Sequence, residues 1–158
     1  MLIDCHAYVL GPVKKVQVEQ EVADSLYQKL TIRADVASQF TRAIVGGVRY
    51  YSQAYTRVTK RNSYTVCYKD GGATHYGLIK YFLSLPNQSV AVLNKLSTTS
   101  DYCYARGLGI LCSRVVPVKL QSSIEIIPVK SLISKCVYCS FSSTNIFIAV
   151  PPNCITDD

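Results

Sequence analysis

From about residue 42 onward the chain is a succession of short β-forming segments, punctuated by glycine turns at intervals of ten residues or so. "AIVGGVRYY" places two apolar segments around Gly46-Gly47, the pattern of a tight hairpin or bulge. "SYTVCYK" is rich in β-formers and runs into the turn signal "DGG" at 70–72. "THYGLIKYFL" reads as a strand that Gly77 can bend, "LPNQ" closes it, and "SVAVLNKL" is the next strand. Further extended segments are read at 55–60, 109–120, 123–128, 135–141 and 145–150, with a polar loop at 97–108. Pro117 marks an edge or a bulge. Such a chain folds mainly as β: a small barrel or sandwich of about eight short strands.

The N-terminal part has a different texture. Over residues 17–31, Val18, Val22, Leu26 and Leu30 recur every four positions, with acids early and Lys29 late, which predicts a helix. Residues 35–41 add a short helical turn with Asp35 as its cap. The expected organisation is a helical extension at 1–41, a β-barrel module at 42–153 and an acidic tail at 154–158. With 158 residues, one domain is the expectation. Hydrophobic residues make up 49% of the chain and charged ones 17%, enough apolar surface to build a core without staples.

"LISKCVYCSF" holds Cys136 and Cys139 in a C-x-x-C spacing. On a strand, residues three apart point to opposite faces, so the pair cannot share one metal ion without a knuckle. Val137 and Tyr138 are not knuckle residues, a second C-x-x-C is missing, and the histidines are His6 and His75. No helix start follows, as a redox pair of the thioredoxin kind requires. The cysteines are therefore read as structural, with no metal and no cofactor. The seven cysteines, an odd and scattered set, indicate reduced thiols in an intracellular setting. No apolar run reaches the roughly 18 residues that span a bilayer, so no membrane segment is expected. "MLIDCHAYVLGPVKK" lacks a basic stretch ahead of its apolar residues, so no secretory signal is expected.

The net charge is +7, unevenly distributed. Residues 1–35 carry four basic and five acidic groups, whereas 36–69 carry Arg42, Arg49, Arg57, Lys60, Arg61 and Lys69 with no acid. Tyr50, Tyr51, Tyr55 and Tyr64 are interleaved with them. Cations that meet phosphates and tyrosines that stack on unpaired bases make a nucleic-acid footprint: Arg49, Arg57, Lys60, Arg61 and Lys69 with Tyr55 and Tyr64. On a strand over 55–61, Arg57 and Arg61 would share a face with Tyr55. The competing reading has the tyrosines in the core and the cations on a solvated face.

"IEIIPVKSLISKCVY" and "HYGLIKYF" resemble the closing and the glycine-containing strands of bromo-adjacent homology (BAH) domains. More broadly, residues 43–153 resemble the β-rich C-terminal region of transposase-like proteins encoded by animal DNA transposons of the CACTA type. The resemblance implies an SH3/BAH-like barrel that binds a protein partner in a nuclear, chromatin-linked or transposon-derived context. The aromatic motif that follows the second strand in BAH domains is missing from "VAVLNKLSTTS", and the chain has no Trp, so methyl-lysine reading is not carried over. A transposon nuclease needs a carboxylate cluster around two metals. Here only Asp70, Asp101 and Glu125 lie in the β-region, so a non-enzymatic module without a small-molecule substrate is expected. A cysteine nucleophile beside His75 is the remaining enzymatic option.

Overall fold

In two hairpins the chain reverses on glycine pairs whose backbones only glycine adopts easily. Gly46 and Gly47 have φ of 54° and 78°, and Gly71 and Gly72 have φ of 58° and 84°. Two successive positive φ values are the signature of the type I′ turn, whose twist matches that of the strands it joins. The computed structural model describes residues 2–4, 7–57, 62–99 and 114–151. Within them run β1 (Leu2–Asp4), β2 (Ala7–Leu10), β3 (Lys14–Gln17), α1 (Gln20–Leu30), β4 (Val36–Phe40), β5 (Arg42–Val45) and β6 (Val48–Tyr51). There follow β7 (Thr65–Asp70), β8 (Ala73–Ser84), β9 (Ser89–Thr98), β10 (Val115–Pro128), a 3₁₀ turn at Val129–Ser131, β11 (Leu132–Lys135), β12 (Val137–Ser140) and β13 (Ile146–Ala149).

The protein is mainly β. A small sheet has the order β1-β2-β5-β6, and a large sheet has the order β11-β7-β8-β9-β10-β13-β12, with β4 added alongside β8 and β3 alongside β4. The described residues thus carry thirteen strands rather than about eight. The excess comes partly from the N-terminal part, expected to be helical. The predicted turn of helix at 35–41 is instead β4, held between β3 on one side and β8 on the other. The β2–β5 and β4–β8 ladders both join segments on either side of residue 41. Of the strand expected over 55–60, Thr56 and Arg57 lie instead in a turn, and residues 58–60 are outside the described residues. Residues 109–113 lie outside the described residues; the rest of the segment read at 109–120 joins 123–128 in one strand, β10 (Val115–Pro128), whose register against β9 slips between Leu120 and Ile124. Most of the loop read at 97–108 lies outside the described residues; β9 itself runs to Thr98.

The helix is where the apolar spacing placed it. Val22 and Leu26 are fully buried, and Val18 and Leu30 flank them. Its C-terminal end is tied down by Lys29, whose Nζ donates to Asp70 Oδ2 at 2.7 Å and to Glu125 Oε1. Asp70, expected to serve only the turn, therefore also anchors α1 across the β7–β8 hairpin.

In its middle the large sheet is apolar on both faces. In β9, Ala91 and Leu93 face the small sheet, in a cluster with Ala7, Val9, Ala43, Val45 and Tyr50. Val90 and Val92 face α1. Toward its far end the sheet curls into a half-barrel around Leu78, Leu96, Val118, Ile146 and Ile148. Its two edges, β11 and β12, are consecutive in the chain. The segment 132–140 pairs with β7 in its first half and with β13 in its second, changing partners at Cys136. Cys136 is buried in the curl, while Cys139 lies opposite Phe147 on β13 and is half-buried.

Gly77 makes the curl sterically feasible. A Cβ there would stand 2.6 Å from Leu93 Cδ1 and 3.0 Å from the Asn94 carbonyl oxygen. Because Leu93 is itself fully buried, it cannot swing away. Gly77→Ala is expected to destabilise the protein by about 1–3 kcal/mol through overpacking, read as a lower denaturation midpoint at unchanged m-value; a midpoint equal to that of the parent would contradict this packing.

A second expectation concerns pH. The Lys29 ammonium hydrogen-bonds Asp70 and holds its carboxyl below the usual value. A carboxyl whose pKa is depressed on folding contributes stability above its unfolded pKa, and that contribution is lost as pH falls through the folded value. Stability should therefore drop on acidification below the ordinary carboxylate range, and the drop should be smaller in Lys29→Met. At neutral pH Lys29→Met should itself cost about 1–2 kcal/mol, since two carboxylates then face each other unpaired. Equal acid slopes for parent and variant would rule out the anchoring role.

Candidate nucleic-acid interface on the small sheet

Antiparallel partners share a face, so the register of the small sheet sorts its side chains. Ala7, Val9, Ala43, Val45 and Tyr50 point inward to the core. The other face is built by the pairs Leu10–Arg42, Tyr8–Ile44, Ile44–Arg49 and Arg42–Tyr51. Tyr8 is 46% exposed there, and Arg49 is exposed.

Arg42 is the organising side chain. The β2–β3 and β4–β5 segments leave the small sheet for the large one at Gly11 and Thr41. Gly11 has φ +86°, and a Cβ there would lie 2.6 Å from Arg42 Nη2, so the guanidinium occupies the space that glycine leaves open. The Arg42 guanidinium carbon stands 4.6 Å from the Tyr55 ring centroid. Tyr55 also meets Tyr51, with ring centroids 5.3 Å apart and the rings tilted by 38°. A guanidinium over a tyrosine ring is a cation–π contact, worth about 0.5–1 kcal/mol at exposed sites.

Tyr55 is in no strand, yet it is held firmly. The Tyr55 amide donates to the Ser52 carbonyl at 3.0 Å, and the Ser52 amide and hydroxyl both donate to the Thr41 carbonyl at 3.0 Å. The Gln53 amide donates to the Ile79 carbonyl at 2.8 Å and the Ala54 amide to the Lys80 carbonyl at 3.2 Å, fixing the turn to β8. Arg57 follows, exposed.

The predicted footprint is therefore divided. Arg49 and Tyr55 are brought to one face with Arg42 and Tyr51, and Arg57 continues the Tyr55 turn. Lys69 is exposed on the β7–β8 hairpin of the other sheet, paired with Thr74. Tyr64 is half-buried and packs against the core, and Tyr50 is buried in it. For those two tyrosines the core reading holds. Lys60 and Arg61 lie outside the described residues. Arg42, Tyr51 and Tyr8 are the additions that the register makes; the alternation of "RAIV" against "VRYY" about a two-residue turn is the signal that carries them.

Among the described residues the ion pairs are those of Lys29 with Asp70 and Glu125, so Arg42 and Arg49 have no carboxylate partner among them. The Nε of Arg42 is buried with no hydrogen-bond acceptor there. Guanidinium groups beside tilted phenol rings are the side chains by which phosphates and unpaired bases can be met. Asp70 and Glu125, the acids of the β-region that are described, are both engaged by Lys29. No group of three His, Cys, Asp or Glu side chains among the described residues is placed to hold a metal ion. No helix among them is long and apolar enough to cross a membrane. No protein-family model, curated protein or solved structure matches this chain.

Proposed function

We propose that the protein is a non-enzymatic binding module that holds unpaired nucleic acid on the outer face of its small sheet. The observation that carries this reading is the Arg42–Tyr55–Tyr51 cluster beside the exposed Arg49. The guanidinium groups of Arg42, Arg49 and Arg57 meet successive phosphates, and the tyrosine rings receive bases. The +6 balance of residues 36–69 supports it. A base stacked on an aromatic ring contributes about 1–3 kcal/mol.

A protein partner is the second reading. It is favoured by the outward side of the β12 edge, where Val137 is 51% exposed and Phe141 80% exposed, with Phe141 set edge-on to Phe147.

The test is a titration against labelled single- and double-stranded DNA and RNA over a salt series. Three phosphate contacts on a single strand give a slope of log K against log salt of about −2. Arg49→Ala should flatten that slope by about 0.7, and Tyr55→Ala should weaken binding by about five- to a hundredfold without changing it. Single strands should bind tighter than duplex. A slope near zero, or both variants binding like the parent, would remove nucleic acid and leave the β12 edge as the working surface.

A further inference from the structure

One group of chemically active side chains plays no part in the proposed interface: Cys67, Ser134 and Cys136, each 4% exposed. Cys67 lies opposite Ser134 in the β7–β11 ladder, with Sγ and Oγ 2.9 Å apart. Cys136 follows where β11 ends, and its amide donates to the Thr65 carbonyl at 2.8 Å. Both cysteines point into the apolar interior of the half-barrel. The Cys136 thiol hydrogen-bonds the Cys67 sulfur; this outweighs the opposing effect of burial and, with a smaller contribution from Ser134, pulls the Cys67 thiol down to about 6. The Cys67 thiol is thus held more acidic than an ordinary cysteine, with a second thiol in contact.

We propose that Cys67 and Cys136 are an oxidant-sensitive pair that closes to a reversible disulfide, tying β7 covalently to the hinge between β11 and β12. The oxidant is a peroxide. The Cys67 thiolate attacks one oxygen of hydrogen peroxide; the O–O bond breaks, leaving Cys67 sulfenic acid and hydroxide. The Cys136 sulfur then attacks the Cys67 sulfur, the S–S bond forms, the S–O bond breaks and water leaves with the Cys136 proton. Two electrons pass from the two sulfurs to the two peroxide oxygens. The Ser134 hydroxyl donates to the Cys67 thiolate throughout the approach.

Diagonal neighbours on an antiparallel ladder stand about 7–8 Å apart, and a disulfide needs Cα atoms at about 4.4–6.8 Å. Closure therefore draws the two backbones together by about 1 Å. The fold has slack at this point. The β7–β11 register already slips between Leu132 and Ser134, and at Cys136 the chain leaves β7 altogether, so the hinge moves without tearing a continuous ladder. Cys139 is the competing partner by sequence spacing, but it lies opposite Phe147, away from the Cys136 side.

The experiment is mass-spectrometric mapping of the reduced full-length protein after brief treatment with hydrogen peroxide, acid quench and alkylation under denaturing conditions. The expected product is a peptide joining Cys67 to Cys136 that disappears on reduction, while Cys139 remains alkylated. In Cys136→Ser, Cys67 should instead be trapped as sulfenic acid by dimedone. The proposal is overturned if Cys136 is joined to Cys139, if unsubstituted protein yields dimedone-labelled Cys67 with Cys136 still free, or if both cysteines stay reduced at a dose that oxidises Cys139.

Discussion

The middle of the large sheet presents apolar side chains on both of its faces, and much else in the fold answers to that. Val90, Ala91, Val92 and Leu93 are successive residues of β9, and all four are fully buried. A strand of this kind is stable only with cover on both sides, since each large aliphatic side chain left in water forgoes about 1.5–3 kcal/mol. The small sheet covers one face. On the other, α1 covers one half and the sheet's own curl covers the rest. The N-terminal segment is thus structural cover: β2 belongs to the lid over one face, α1 to the lid over the other.

That division of labour bears on the proposed interface. The small sheet has spent its inner face on the core, so its outer face is the one with polar and aromatic side chains to offer. Arg42 serves both roles. Its guanidinium fills the space above Gly11 where the ribbon bends from one sheet to the other, and it presents the Tyr55 ring at the surface. Recognition on this face would be rigid, because Tyr55 is tethered by backbone hydrogen bonds to Thr41 and β8 through the Ser52 turn rather than standing on a free loop.

At the opposite end, the curl depends on Gly77, where the backbone of β8 comes too close to β9 for any side chain, and on Cys136, where one segment of chain passes from edge to edge. The latter is a mechanical junction as well as a chemical one. A bond between Cys67 and Cys136 would fix the curl at the point where the ladder has its weakest continuity, linking the redox state of the protein to the closure of its half-barrel.

What the sequence determined by itself is local. The turns at Gly46-Gly47 and Gly71-Gly72 and the helix carrying Val22 and Leu26 follow from φ preferences and apolar spacing within a few residues. Residues 35–41 read locally as a helical turn because "VASQF" has no strong local preference; pairing with β3 and β8 makes 36–40 a strand. The spacing of Cys136 and Cys139 correctly set them on different sides, but it carried no hint of Cys67, 69 positions earlier in the chain. The basic, tyrosine-rich stretch was visible as composition, yet alternation only divides side chains between two faces. Which face is buried is settled by what packs against it: Tyr50 and Tyr64 went to the core, and Arg42, Arg49, Tyr51 and Tyr55 came together outside, because the large sheet needed cover and took one side of the small sheet to provide it.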